Sequence, residues 1–190
     1  MKNVAETHVH GQTPDAKHRE KDDFYPTPEE GTLALLGVEH FDGIIHEPAC
    51  GDGAISKVLE AEGHEVISTD LVDRGFGTPG VDYLMEYKPV APNVITNPPF
   101  KLALPFATKA LSMTTGKVAL LCRLAWLEGI ERKEFFENTP LVRVWVFSNR
   151  LTMLRNGIDG GKGGGSMVAF AWFVWEHGYK GSPRLGWIKT

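Results

Sequence analysis

Short apolar runs alternate with helix-like stretches along most of the chain. The apolar runs have the length and aliphatic composition of buried strands. The predicted strands are Gly43–His46, Glu65–Thr69, Asn93–Thr96, Lys117–Cys122, Arg143–Phe147 and Met167–Trp175, with a short seventh at Val81–Leu84. The stretches 53–62, 101–115 and 128–138 have helical composition, and Pro105 is expected to kink or shorten the second of them.

This alternation predicts an α/β fold, because strand–helix–strand crossovers make successive strands parallel and cover both faces of the sheet. The last two long strands are joined by Leu151–Ser166, a connection without a helical pattern. Such a connection indicates an antiparallel pair at one edge. We therefore predict a doubly wound, mostly parallel, seven-stranded sheet with an antiparallel edge strand.

The segment before the first strand is divided into a polar tail and a helix. Residues 1–21 lack periodicity and are predicted to form a flexible N-terminal arm, so that residues 22–190 make one catalytic domain. Thr27 is interpreted as a helix N-cap, with Pro28 at the first helical position and Glu30 at the third. This helix is predicted to end near Gly37.

Composition favours a cytoplasmic protein without a membrane segment. No apolar run approaches the roughly 20 residues that span a bilayer, and the polar N-terminus has no signal-peptide core. Cys50 and Cys122 form neither a disulfide nor a metal-site spacing. His8 and His10 lie in the polar tail, so no metal site is predicted.

The net charge of −4 is unevenly distributed. Residues 1–90 contain 7 Lys+Arg and 18 Asp+Glu, whereas residues 91–190 contain 13 and 6. An acidic half suits a cationic cofactor, and a basic half suits a polyanion. The distribution therefore admits a nucleic-acid partner that the overall charge disfavours.

The first predicted strand runs into a Gly-x-Gly turn that is followed directly by a helix. Glycine permits positive φ and close approach of a ligand, and a helix N-terminus offers unpaired N–H groups. Ser56 stands where the dinucleotide fingerprint requires a third glycine, so a nicotinamide site is not predicted. The candidate cofactor-binding residues here are Glu47, Pro48, Ala49, Cys50, Gly51, Asp52 and Gly53.

Two further acids follow the next two predicted strands. Ligands of doubly wound sheets bind at the carboxyl ends of parallel strands. Asp70 is therefore placed to accept both hydroxyls of a ribose, Leu71 to cover an adenine ring and Asp82 to accept the amine of that ring. Each acid alone is explained as well by a loop or a helix cap, but their positions at consecutive strand ends favour a nucleoside-containing cofactor.

The strand Asn93–Thr96 ends in the candidate catalytic motif, Asn97-Pro98-Pro99-Phe100. With Glu-Pro-Ala-Cys-Gly-Asp-Gly at 47–53 and Thr-Asp-Leu at 69–71, it resembles the class I S-adenosylmethionine-dependent amino-methyltransferases. The chain is most similar to compact adenine-N6 DNA methyltransferases of phages and prophages, over roughly residues 22–175. The resemblance implies a Rossmann-like fold, S-adenosylmethionine as cofactor and adenine in DNA as substrate.

The chemistry of an aromatic amine explains these residue types. Its lone pair is delocalised, so the side-chain carbonyl of Asn97 and the backbone carbonyl of Pro98 are expected to hold both N–H groups and localise that lone pair. Pro98 and Pro99 fix the turn, and Phe100 offers a flat face to a base that has left its duplex. Asn97 lacks useful basicity, so no strong general base is predicted.

The resemblance also implies roles for the residues before the first helix. Tyr25 is expected to pack on the cofactor and Thr27 to touch its carboxylate, although a core role and a capping role explain them equally well. The glycine-rich patch Gly160–Gly165 is interpreted first as a flexible loop. As an alternative, Arg150, Arg155 and Lys162, near or within it, are candidate contacts to substrate phosphates.

Other substrates stay open. The same turn serves enzymes that methylate adenine in RNA or the glutamine side-chain amide of a protein, and the motif does not separate these planar amines. The chain offers no separate target-recognition domain, which leaves room for a protein partner that supplies specificity. A cofactor-binding module without activity is the remaining alternative.

Overall fold

The computed structural model describes residues 24–153 and 168–190. The predicted arm at 1–21 therefore lies outside the described residues, as do Arg155 and Lys162. The described helices are α1 (Glu29–Leu36), α2 (Ala54–Ala61), α3 (Ala103–Met113) and α4 (Ile130–Glu137). The described strands are β1 (Ile45–Glu47), β2 (Val66–Ser68), β3 (Asn93–Thr96), β4 (Lys117–Arg123), β5 (Leu141–Phe147), β6 (Phe170–Glu176) and β7 (Arg184–Ile188). None of these helices is long and apolar enough to cross a membrane.

The seven described strands form one sheet in the order β2-β1-β3-β4-β6-β5-β7. Strands β1 to β4 are parallel, β6 runs antiparallel to both β4 and β5, and β7 pairs in parallel with β5. The predicted doubly wound, mostly parallel α/β sheet is confirmed. The antiparallel strand β6 is inserted between β4 and β5, and β7 forms the edge beyond them. The winding reverses between β1 and β3, where ligands of such sheets bind.

Both faces of the sheet are buried, as the apolar strands predict. Along β4, Val118, Leu120 and Cys122 face one apolar cluster, while Ala119 and Leu121 face the other. Helix α3 covers the first face, and α1 and α2 cover the second. Fully burying an aliphatic side chain contributes roughly 1.5–3 kcal/mol, so the central strands hold the frame against which the strand ends are positioned.

The seventh strand is not where the sequence pattern places it. Val81–Leu84 was predicted as a strand, but it leads into a 3-10 turn at Tyr83–Met85, because the Asp82 carboxylate accepts the Leu84 N–H at 3.0 Å. The seventh strand is instead β7. Its Gly186 is required by the neighbouring strand, since a Cβ there would overlap the Trp145 ring.

The termini of two helices refine the predictions. Helix α1 ends at Gly37 as expected, but Thr27 is not its N-cap: Pro28 takes that position without a side-chain cap. The Thr27 hydroxyl accepts a hydrogen bond from Asn97 instead. Pro105 shortens the predicted helix rather than kinking it, because α3 begins at Ala103 and Pro105 falls in its first turn, where a missing N–H costs little.

Candidate active site

The carboxyl ends of four neighbouring parallel strands place four polar side chains along one edge of the sheet. In the spatial order β2, β1, β3 and β4 these are Asp70, Glu47, Asn97 and Arg123. Glu47 and Arg123 end their strands, Asn97 follows β3 directly, and Asp70 lies two residues beyond β2. This edge changes from acidic to basic, with a neutral amide between.

A cavity of about 320 Å³, which we call the acidic cavity, opens at the ends of β2, β1 and β3. Among the described residues that line it, the one cation is Arg74. Most predicted cofactor residues line it: Tyr25, Thr27, Glu47, Pro48, Ala49, Cys50, Asp52, Asp70, Leu71 and Asp82. Asn97 and Pro99 of the candidate catalytic motif also line it.

A second cavity of about 250 Å³, which we call the basic cavity, lies beside the first. Its charged lining residues are Lys101, Arg123 and Arg132, and no described carboxylate lines it. Phe100 also faces this cavity, while Asn97 faces the acidic one. The turn after β3 therefore separates two spaces of opposite charge.

The glycine turn is closed from outside by the residues that precede α1. Gly51 and Gly53 have φ angles of 57° and 83°, but neither lines the cavity, so their contact with a cofactor stays a prediction. The Phe24 ring lies so close to Gly51 that a Cβ there would overlap it. The Arg74 guanidinium stacks on that ring, 4.1 Å from its centre. The segment Phe24–Thr27 thus forms a strap over the turn.

Backbone N–H groups fix the Asp70 carboxylate at the end of β2. Gly51 N–H donates to Oδ2 and Val72 N–H donates to Oδ1, both at 2.8 Å. The side chain is 9% exposed and lines the acidic cavity. Each oxygen retains acceptor capacity, so the orientation suits a pair of neighbouring hydroxyls.

Glu47 is a buried acid without a cationic partner among the described residues. Its Oε2 accepts hydrogen bonds from the backbone N–H and the hydroxyl of Ser56. Burial raises the pKa of Glu47 well above its ordinary value, the Ser56 hydrogen bonds oppose this, and the charges of Asp70 and Asp52 raise it further. The site therefore disfavours the ionised form until a positive charge arrives.

Two polar atoms at the acidic cavity have no hydrogen-bond partner among the described residues. They are Oδ1 of Asp52 and the hydroxyl of Tyr83, both shielded from solvent. A buried polar atom left unpaired costs roughly 1–3 kcal/mol, and a ligand that supplies the missing partner recovers that cost. Together with Glu47, they make the cavity fit a polar ligand that carries positive charge.

The Asn97 side chain is half-buried and oriented by the strap. Its amide N–H groups donate to the Tyr25 carbonyl at 2.9 Å and the Thr27 hydroxyl at 3.1 Å. A carbonyl can only accept, so the nitrogen must face Tyr25 and the Oδ1 acceptor must face away. Leu102 N–H donates to Pro99 at 2.8 Å, whereas no described backbone N–H donates to the buried Pro98 carbonyl. Asn97 thus keeps its acceptor at the acidic cavity, whereas Pro98 lines neither cavity and the role of its carbonyl stays a prediction.

Phe100 is more enclosed than the sequence predicts. Its ring stacks with Tyr25 at 5.9 Å and tilts against Phe170 at 5.8 Å, and the Arg123 guanidinium lies 4.4 Å from its centre. The ring therefore links the strap, β6 and the basic cavity. Its predicted role as a stacking face for a base stays a prediction.

The remaining predicted residues are more exposed or lie outside the two cavities. Leu71 is 61% exposed at the cavity mouth, and Asp82 also serves as the cap of the 3-10 turn. Arg150 is exposed and lines neither cavity. Within residues 24–153 and 168–190, no cluster of His, Cys, Asp and Glu could hold a metal ion.

Sequence reasoning missed Arg123 and Tyr83 as cavity residues. The signal for Arg123 was present, since it follows the predicted strand Lys117–Cys122 directly and so lies at a carboxyl end. Tyr83 was missed because it was assigned to a strand instead of the turn that buries it against the cavity.

Comparisons place this architecture among known folds. No protein-family profile and no curated protein sequence matches the chain. A candidate RNA methyltransferase from Pyrococcus horikoshii is 15% identical, with a TM-score of 0.57 over 80% of this chain and 86% of that one. The M protein of the type I restriction enzyme EcoKI is 17% identical, with a TM-score of 0.54 over 83% of this chain and 45% of its own.

A third solved structure, magnesium protoporphyrin IX methyltransferase from Synechocystis, contains bound SAM. It is 13% identical, with a TM-score of 0.52 over 78% of this chain and 77% of that one. At these identities the likeness concerns the fold, and the chain has the Rossmann-like methyltransferase fold.

Proposed function

We propose that the protein is an S-adenosylmethionine-dependent methyltransferase that acts on the exocyclic amino group of adenine in DNA. The methyltransferase fold supports the reaction class. The acidic cavity lies at the point where the sheet reverses its winding, which supports its use as the cofactor site.

The residues of the acidic cavity fit this cofactor. S-adenosylmethionine combines a positively charged sulfur, an ammonium group, a carboxylate and a nucleoside, and it supplies the methyl group. Glu47 and Asp52 offer negative charge and an unpaired acceptor, and Asp70 offers two fixed oxygens to the ribose hydroxyls. Leu71 and Asp82 are assigned to the adenine ring and its amine.

The observation that carries the proposal is the orientation of the Asn97 amide. Because Tyr25 and Thr27 take its N–H groups, Asn97 Oδ1 is held as an acceptor beside the acidic cavity. With the Pro98 carbonyl, it accepts the two N–H groups of the target amine and directs the nitrogen lone pair to the methyl group. The surplus proton leaves the amine after transfer, since the motif has no strong base.

DNA is favoured by the resemblance of the Asn97–Phe100 motif to adenine-N6 DNA methyltransferases. Type I modification proteins among the similar folds agree with a DNA substrate and with a partner that supplies specificity. Adenine in RNA and the glutamine amide of a protein are the alternatives, and the experiment below separates them.

The test is transfer of a labelled methyl group to DNA, RNA and protein pools, followed by nucleoside and amino-acid analysis. We expect label in N6-methyladenine of DNA. Asn97→Ala should lower the rate by roughly 10²–10³-fold, as for removal of one preorganised polar group, with the cofactor Kd nearly unchanged by calorimetry. Asn138→Ala, at the exposed end of α4, is the matched control. Full activity of Asn97→Ala would contradict the catalytic assignment.

A further inference from the structure

The basic cavity lies beyond the residues to which the proposed reaction assigns a role. It adjoins the amine-binding turn on the side opposite the acidic cavity, since Phe100 and Lys101 line it and Asn97 and Pro99 do not. The cations of this cavity therefore lie next to the turn that carries Asn97.

Arg123 is held in this cavity by a ring and not by an acid. Its guanidinium lies over Phe100, 4.4 Å from the ring centre, and no described carboxylate pairs with it. Its Nε is buried and has no hydrogen-bond partner among the described residues. Stacking fixes the plane of the guanidinium and leaves its donors for an oxygen-rich ligand, the arrangement that suits phosphate.

Part of the lining of the basic cavity is apolar and packs against the core. Trp126 is 9% exposed and makes edge contacts with Phe136 and Phe173, at centroid distances of 5.1 Å and 5.0 Å. Cys122 and Ala103 complete this apolar part of the lining. The cavity thus pairs anion donors with an apolar surface, which matches a nucleotide better than a free inorganic anion.

We propose that the basic cavity binds a backbone phosphate of the nucleic-acid substrate next to the target base, with Arg123 as the main contact and Lys101 and Arg132 in support. This inference rests on the proposed function and extends it to the substrate class. An acidic peptide is disfavoured because the neighbouring acidic cavity would repel a run of carboxylates, whereas a flipped base presents a neutral ring to that side.

The test is binding of fluorescein-labelled DNA, single-stranded and duplex, to the full chain by anisotropy from about 50 to 200 mM KCl. Replacing Arg123 by Gln should weaken binding about tenfold at 0.1 M KCl and lower the slope of log K against log [KCl] by about one. Arg123→Lys should retain the slope. Arg184→Gln is the matched control, because Arg184 is exposed at the start of the edge strand β7.

Lys101→Gln, an exposed change in the same cavity, keeps the test decisive if Arg123→Gln folds poorly. Unchanged affinity and slope in both variants, or an equal loss in Arg184→Gln, would overturn the inference. So would methyl transfer to protein without salt-dependent nucleic-acid binding. If the Arg123→Gln variant binds DNA normally and still transfers methyl groups, the phosphate-binding role of the cavity is contradicted but the proposed reaction is not. If DNA binding depends on Arg123 but the protein transfers no methyl group, the proposed reaction is contradicted but the cavity role is not.

Discussion

Two buried glutamates lie at opposite ends of the same sheet, and their surroundings differ completely. Glu39, at the amino end of β4 and β5, accepts hydrogen bonds from Lys117, Arg143 and the indole of Trp145. Burial alone would raise the pKa of Glu39, but these hydrogen bonds outweigh it and lower the pKa. Glu47, at the carboxyl end, has a carboxylate that accepts hydrogen bonds from Ser56 and lies near Asp70 and Asp52, with no cationic partner in the part of the chain that the structure describes, and its pKa is raised.

The difference separates an acid that neighbouring cations neutralise from one that has no cationic partner among the described residues. A buried charge that its own chain neutralises contributes to the fold, whereas a buried acid without a counter-charge costs stability and is retained where a ligand compensates. Glu39 satisfies the first description. Glu47 satisfies the second, in agreement with its place beside the proposed cofactor site.

The largest expected effect is on the fold. Replacing Glu39 by Ala leaves Lys117 and Arg143 with Glu176 as their one carboxylate partner among the described residues, so the free energy of unfolding should fall by about 3–5 kcal/mol. Urea denaturation at pH 7 measures it. Glu137→Ala removes an exposed acid paired with Lys133 and should cost less than about 1 kcal/mol. Equal losses in the two variants would show that Glu39 is no more structural than a surface acid.

A neighbour of Glu47 should make the carboxyl end sensitive to acid. Burial lowers the pKa of His46 to about 4, while its unfolded value is 6.5. The unfolded chain then binds the proton more readily, so stability is full above pH 6.5 and is lost as the pH falls towards 4. The contribution of His46 to that loss is about 3 kcal/mol.

Urea denaturation between pH 7 and pH 4 tests this contribution. In His46→Gln the free energy of unfolding should vary less with pH between pH 7 and pH 4. His40→Gln is the control, because the His40 side chain is 81% exposed, and its pH profile should match that of the wild type. Identical pH profiles for the wild type and His46→Gln would refute the assignment.

The expected change in stability at Glu47 has the opposite sign. Above pH 4.5 its raised pKa makes the ionised acid unfavourable in the folded chain, so Glu47→Gln should raise the free energy of unfolding at pH 7. The cofactor Kd should rise about tenfold, the equivalent of 1.4 kcal/mol. Calorimetry with S-adenosylmethionine measures the Kd, and Glu62→Gln is the exposed control. A destabilised Glu47→Gln variant that binds cofactor normally would reverse the assignment.

The sheet was predictable from the sequence where strands are buried on both faces. Lys117–Cys122, for example, corresponds to β4 because both of its faces need apolar side chains. Strand β7 was not predictable, because Leu185 and Trp187 are 52% and 68% exposed and its position depends on pairing with β5.

The candidate site, too, was predictable where it depends on local sequence and not where it depends on contacts between distant residues. Glu47, Asp70 and Asn97 could be placed together because each lies next to a strand end in sequence. The bond from Asn97 to Thr27 and the stacking of Arg123 on Phe100 could not be predicted, since these contacts join residues that are distant in the chain or depend on rotamers.

The strap over the glycine turn contacts both the turn and the Asn97 amide. Phe24 covers Gly51, while Tyr25 and Thr27 hold the Asn97 amide. A strap displaced from the turn would uncover Gly51 and would also remove the hydrogen-bond acceptors that orient the Asn97 amide. The exposure of the glycine turn and the orientation of Asn97 would therefore both depend on the position of this one backbone segment.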